Sequence, residues 1–329
     1  MAILFVRGVN DLNRVEISPR KDGKFDFVID GSCNVMSHLG FDKGMAASVI
    51  LFGNKVKQPG FQLPETPALI FNQISDPDSH RGALERCVHL CTQIAAPVIN
   101  RPERIQATTR DRVSERLQGI PGVVMPRAIR CQPRSPEEVF AQAESASLKF
   151  PLIVRLAGVH GGKSSVLVRG REDLAMLDVY PFDGSSFYLT EFVDYQSSDG
   201  LYRKIRIVVV DGKPLFRHLL MDSQWMIHAA SLDFMDTRPE LFREEERAFA
   251  AFETELVPRI QPAIEAIAER LGLEYFGIDC NINEQGEMLI FEANANMNVF
   301  FNTRSRSTKV IGIIREQLRR FIELRAGMR

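Results

Sequence analysis

The chain has 329 residues, with 41 Lys and Arg against 42 Asp and Glu for a formal net charge of -1; 45% of residues are hydrophobic and 25% charged. That balance excludes a global basic field for holding nucleic acid or an anionic membrane, and the hydrophobic share excludes an intrinsically disordered chain. The length is twice a one-domain prior of roughly 150 residues, so two or three packed units are expected.

The first residues form a short apolar run with no basic region or cleavage site, and no apolar stretch approaches the roughly 18 residues a membrane span needs. Cys33, Cys87, Cys91, Cys131 and Cys280 are scattered and form no C-x-x-C pair, which fits reduced thiols and a cytoplasmic location. In a helix His89 projects away from the Cys87 and Cys91 face, so these three do not suit a metal ion.

In chain order, strands are expected at 3–9, 25–29, 48–52 and 67–72, a helix at 79–94 and a strand at 97–100. Strand, helix and strand at this spacing predict a small α/β unit with a parallel pair. A composition change at Asn100-Arg101-Pro102-Glu103 precedes helical spacing over 105–117. Ser135-Pro136-Glu137-Glu138 then opens another helix, with proline at its first position and acids in its first turn. From Pro151 the texture turns strand-rich, with candidates at 152–156, 164–168, 187–193, 204–210 and 214–220. A long helix over 244–271, strands at 276–282 and 288–294, and a helix over 310–325 complete the chain. No internal repeat is evident.

Chemistry is concentrated in three places. The segment Ala157-Gly158-Val159-His160-Gly161-Gly162-Lys163-Ser164 satisfies a relaxed P-loop spacing. A P-loop leads into a helix, however, whereas the β-branched run after Ser164 predicts a returning strand. The glycines therefore sit at a hairpin tip, where backbone N–H groups can cover a polyphosphate. Near the C-terminus, a turn over 283–286 places Asp279 opposite Ile290 and Gly277 opposite Glu292. Asp279, Glu292 and Asn294 then share one face, an all-oxygen set suited to Mg²⁺. Third, the strand Tyr188 to Asp194 offers an edge to a nucleobase, and alternation puts Lys204, Arg206 and Val208 on one face, where the two cations can stabilise an anion.

The order of these parts resembles the ATP-grasp superfamily, over about residues 100–329. The most specific piece is Gly277-Ile278-Asp279 followed by Phe291-Glu292-Ala293-Asn294, similar to that family's terminal metal-binding pattern. The resemblance implies an α/β fold: a small N-terminal pre-ATP-grasp domain (1–100), a central lobe with a glycine lid (101–190) and a C-terminal lobe with the metal site (191–329), the nucleotide lying between the lobes.

It further implies ATP and one or two Mg²⁺ ions, or Mn²⁺, held by Asp279, Glu292 and Asn294. Arg155 and Arg112 stand where the family commonly has phosphate-binding lysines, and Gly161, Gly162 and Lys163 form the lid. Glu191, Phe192 and Val193 form the adenine hinge, with Asp194 or Asp199 at the ribose. Within the superfamily the chain looks like glutathione-synthetase-like and ribosomal-protein-glutamylating ligases, with Arg206 at the tetrahedral intermediate. Arg217, His218 and His228 are the acceptor-site candidates, in a segment that departs from the family pattern.

The implied activity is ATP-dependent carboxylate–amine ligation through an acyl phosphate. A kinase using the same ATP site and a nucleotide-binding regulator without turnover are the alternatives. The implied partners are a small carboxylate and an amine or peptide, with neither nucleic acid nor membrane; a homo-oligomer stays open.

Overall fold

A computed structural model describes residues 2–19, 22–29, 31, 33, 35–42, 44–53, 57, 60, 63, 65–159, 162, 164–300 and 307–328. The N-terminal part contains β1 (Ile3–Gly8), β2 (Glu16–Pro19), β3 (Phe25–Val28), α1 (Met36–Leu39), β4 (Ala46–Leu51), β5 (Leu69–Asn72), α2 (Arg81–Gln93) and β6 (Val98–Ile99). Its main sheet runs β4-β1-β5-β6, and every pairing is parallel. Ile3, Leu4, Phe5 and Val6 are all buried, which explains why β1 reads as a continuous apolar run. β5 and β6 are the expected parallel pair around α2.

The helix expected over 105–117 is broken into α3 (Pro102–Ile105) and α4 (Arg110–Leu117). Thr109 takes extended backbone, φ -61° and ψ 150°, and starts α4 afresh, as β-branched hydroxyl residues do at helix entries. Two short strands that the periodicity does not reveal follow, β7 (Val123–Val124) and β8 (Ala128–Cys131), then α5 (Pro136–Ser145). Ser135 accepts the Glu138 N–H as the N-cap of α5.

Next come β9 (Leu152–Leu156), β10 (Ser165–Val168), a 3₁₀ segment at Arg171–Val179 and β11 (Phe187–Glu191). They form an antiparallel sheet in the order β10-β9-β11-β8. Gly158 and Gly162 have φ of 73° and 75° in the connection between β9 and β10, so this glycine segment is a hairpin and not a P-loop.

The remainder is β12 (Tyr202–Val210), β13 (Lys213–Asp222), α6 (Ser231–Asp236), α7 (Pro239–Ala251), a π-helical stretch Phe252–Leu256, α8 (Val257–Leu271), β14 (Tyr275–Ile282), β15 (Met288–Ala295) and α9 (Ser307–Arg325). The expected 244–271 helix starts earlier and is interrupted by the π segment. The third sheet runs β13-β12-β14-β15-β7, with β7 parallel to β15. Val113 and Leu117 of α4 share its core, so part of the chain that precedes the central sheet packs on the C-terminal one. No helix among the described residues is long and apolar enough to cross a membrane.

One apolar core runs from the N-terminal sheet into the five-stranded sheet, while the central sheet has its own around Phe140, Leu152, Val154 and Phe187. The N-terminal and five-stranded sheets are also joined by buried amides. Asn100 Oδ1 accepts the Glu274 and Tyr275 N–H groups, Asn100 Nδ2 donates to Asn296 Oδ1 at 2.9 Å, and Asn296 Nδ2 donates to Ile74 O at 2.9 Å. The side-chain amides of Asn100 and Asn296 thus find partners, as burial requires.

Candidate active site

A cleft of about 600 Å³ opens between the central and C-terminal sheets, within the size range of small-molecule sites. Arg155 reaches it from β9 and Gly162 from the hairpin. Glu191, Phe192 and Val193 come from the end of β11, and Arg206, Arg217, Asp279, Glu292 and Asn294 from the C-terminal sheet. His228 lies in the connection after β13 and also lines the cleft. Met125, Pro126, Ile153, Phe192 and Tyr195 give part of the wall an apolar character suited to a flat heteroaromatic ring.

The carboxylates converge by a route different from the one expected. Ile282 pairs with Met288 and Cys280 with Ile290, one residue out of the expected register, and a slip of one turns side chains to the opposite face. A bulge at Phe291 adds a second offset, so Asp279 pairs with Glu292 and Gly277 with Asn294. The two offsets restore the face. A further bulge at Arg217 lets His218 pair with Arg206. Since Arg206 pairs with Asp279 on its other side, His218, Arg206, Asp279 and Glu292 form one row across four strands.

The row is held by charge. Arg206 Nε and Nη2 donate to Asp279 Oδ1 and Oδ2 at 2.6 and 2.8 Å, and Lys204 Nζ stands 3.2 Å from Oδ2. Arg110 donates to Glu292 Oε2 and, at 3.2 Å, to the Phe291 carbonyl at the bulge. Asn294 Nδ2 donates to Glu292 Oε1 at 2.7 Å. Burial alone would raise the Asp279 carboxyl, but Arg206 and then Lys204 outweigh it and hold it well below the usual carboxylate range. Glu292 is lowered in the same sense, burial being outweighed by Arg110.

Burial, followed by Arg110, pushes Arg155 down to about 10, and burial with Arg206 does the same to Arg217. Buried Arg155 Nε has no hydrogen-bond partner, a cationic donor desolvated at the edge of a cleft. His218 is pushed well below its ordinary value by burial and then by Arg206 and Arg217, so its imidazole is neutral.

Arg112 does not line the cleft; Arg110 does, because two helical positions carry a side chain roughly 200° around the axis. Asp199 does not line it either. Arg203 holds Asp199 through two hydrogen bonds of 3.0 and 2.7 Å on an exposed loop, drawing it down to about 2. Gly161 and Lys163 lie outside the described residues. The sequence reading passed over Arg110, Glu245 and Trp225, which line the cleft. Helical phase in the Arg110-Asp111-Arg112 segment is the signal that separates Arg110 from Arg112. Glu245 comes from α7 and Trp225 from the connection after β13, whose placement over the cleft only the fold reveals.

Two carboxylates and an amide oxygen are hard donors that fit Mg²⁺ in type. Each carboxylate oxygen here already takes an N–H from Arg110, Lys204, Arg206 or Asn294, so a divalent ion would share or displace these donors.

The sheet order and the cleft between the second and third sheets define the fold: the chain has the ATP-grasp fold. Similar solved structures include a D-alanine–D-alanine ligase from Bacillus anthracis complexed with ATP, at 14% identity over 99% of this chain and 97% of that one, TM-score 0.52. The VanG D-Ala:D-Ser ligase from Enterococcus faecalis matches at 12% identity over 99% of both chains, TM-score 0.56. A RimK domain ATP-grasp protein from Sphaerobacter thermophilus matches at 13% identity over 98% of this chain and 99% of that one, TM-score 0.51. No protein-family model matches the sequence, and no curated protein does.

Proposed function

We propose that the protein is an ATP-dependent carboxylate–amine ligase that forms an amide or peptide bond through an acyl phosphate. The observation that carries this reading is the cross-sheet row of Arg206, Asp279 and Glu292 facing Arg155 and the glycine hairpin across one cleft. The likeness in fold to ligases, one of them solved with ATP, supports it.

The adenine stacks in the apolar section beside Phe192, and its polar edge meets the backbone of residues 191–193. The phosphates run toward Arg155, Arg110, Lys204 and Arg206, whose charges offset the anion and fix its direction. Asp279, Glu292 and Asn294 would hold Mg²⁺, which when bound neutralises phosphoryl charge.

A carboxylate oxygen attacks the γ-phosphorus, the β–γ bridging bond breaks and ADP leaves. The amine nitrogen then attacks the acyl carbon, the carbon–oxygen bond to phosphate breaks, and the nitrogen's proton leaves with phosphate or to water. Arg206 stabilises the oxyanion formed as the amine adds. The glycine hairpin excludes water, which would otherwise hydrolyse the acyl phosphate. Arg217 serves the acceptor end.

The test is an ADP-release screen with MgATP over paired amino acids and small acids, with products read by mass spectrometry. A condensed product without phosphate supports ligation. A product that keeps a phosphate group makes the protein a kinase, and ADP release with no pair rejects both.

A further inference from the structure

We infer that His228 is a further catalytic residue, donating its Nε2–H to the terminal phosphoryl group of the nucleotide instead of serving the amine acceptor. The inference rests on the ATP reading above and assigns a residue to one end of that site.

The segment before His228 is fastened to the cleft at two points, one beside the apolar wall and one at the cationic end. Tyr195 Oη donates to the Trp225 carbonyl at 2.5 Å, and Lys204 Nζ donates to the Ile227 carbonyl at 2.7 Å. The same Nζ stands 3.2 Å from Asp279 Oδ2. One ammonium group therefore bridges the residue next to His228 and the carboxylate row, which ties the backbone beside His228 to that row.

The opposite side of the ring meets the glycine hairpin. A β-carbon placed on Gly162 would stand 3.0 Å from Met226 Sδ and 3.7 Å from His228 Cδ2. Cδ2 is therefore the ring atom turned toward the hairpin, and Nε2 is bonded directly to it. His228 thus meets the glycine hairpin with its ring and lines the same cleft as Lys204 and Asp279.

Its donor role is set by the local chain. The Ala230 N–H donates to His228 Nδ1 at 3.1 Å, and the His228 N–H donates to Ser231 Oγ at 3.3 Å. With Nδ1 committed as an acceptor, the ring proton resides on Nε2. No proton moves in this role. A fixed neutral donor supplies a hydrogen bond to equatorial oxygens as charge spreads over the phosphoryl group in transfer.

The test uses the full chain and calorimetric titration with the magnesium complexes of ADP and of the non-hydrolysable β,γ-imido analogue of ATP. His228→Ala should weaken the triphosphate analogue about tenfold while leaving ADP unchanged, the loss expected for one hydrogen bond to a charged group. His228→Gln, which can place an N–H near the Nε2 position, should recover most of that loss. Equal weakening of both nucleotides, or of neither, overturns the assignment, and so does a glutamine variant no better than alanine despite a wild-type circular dichroism spectrum. If neither nucleotide binds the wild-type chain, the ATP reading itself falls and this inference with it.

Discussion

Arg206 and Asp279 stand directly opposite each other on β12 and β14, and the guanidinium grips both carboxylate oxygens at 2.6 and 2.8 Å. Asp279 is buried, and Lys204 and Arg217 crowd the same neighbourhood as Arg206, so this carboxylate offsets cations that would otherwise repel one another in a poorly solvated place.

Removing that carboxylate should therefore destabilise the chain. Asp279→Ala is expected to lower unfolding free energy by about 3 kcal/mol in a urea titration, the scale for breaking a buried pair from one side. An unchanged midpoint would show that the pair contributes nothing.

Acid should act in the same direction. Asp279 and Glu292 are both depressed in the folded chain, so the stability they confer is fully present above the unfolded carboxylate values of about 4 and is lost as pH falls below them. Urea midpoints measured from pH 6 downward should hold to roughly pH 4 and then drop. In Asp279→Ala the drop should be shallower.

Divalent metal binding should depend on nucleotide. Because the carboxylate oxygens are already occupied by N–H donors, Mn²⁺ alone is expected to leave its free electron paramagnetic resonance signal nearly undiminished. Adding the imido analogue of ATP, whose phosphates can draw off the arginines, should lower the signal further than the same analogue does without protein. Tight Mn²⁺ binding without nucleotide would contradict the arrangement.

Trp225 is the chain's single tryptophan and lines the cleft, with its ring centroid 5.5 Å from that of Phe192. Nucleotide titration should change its emission with saturation, and Phe192→Ala should weaken the apparent affinity about tenfold, within the range for loss of one aromatic stacking contact. No change in emission on a wild-type titration would place the base elsewhere.

Gly277 sits in the row below Asp279, where a β-carbon would come within 2.5 Å of Met297 Sδ and 2.6 Å of Met297 Cβ. Gly277→Ala should cost about 2 kcal/mol by overpacking, read as a lowered urea midpoint. Trimming Met297 would not relieve it, since its β-carbon remains.

Much of this site was legible because strands impose period two. Asp279, Glu292 and Asn294 reach one cleft, and the glycine segment is a hairpin, both consequences of local alternation. The pairing itself was not legible, because bulges at Phe291 and Arg217 leave no signature in composition or spacing. Family position points to Arg112, whereas helical phase decides that Arg110 faces the cleft. β7 and β8, at two and four residues, are too short for periodicity to register.

The separation of the two apolar cores bears on how the cleft can widen. Tyr188 Oη and Arg130 of the central sheet both bond Asp78, in the connection between β5 and α2, at 2.7 to 2.9 Å. Since the central sheet keeps its own apolar interior, swinging it outward ruptures polar tethers such as these while leaving its greasy packing intact. The amplitude of opening is thereby placed under the control of a handful of exchangeable contacts, each of which water can replace.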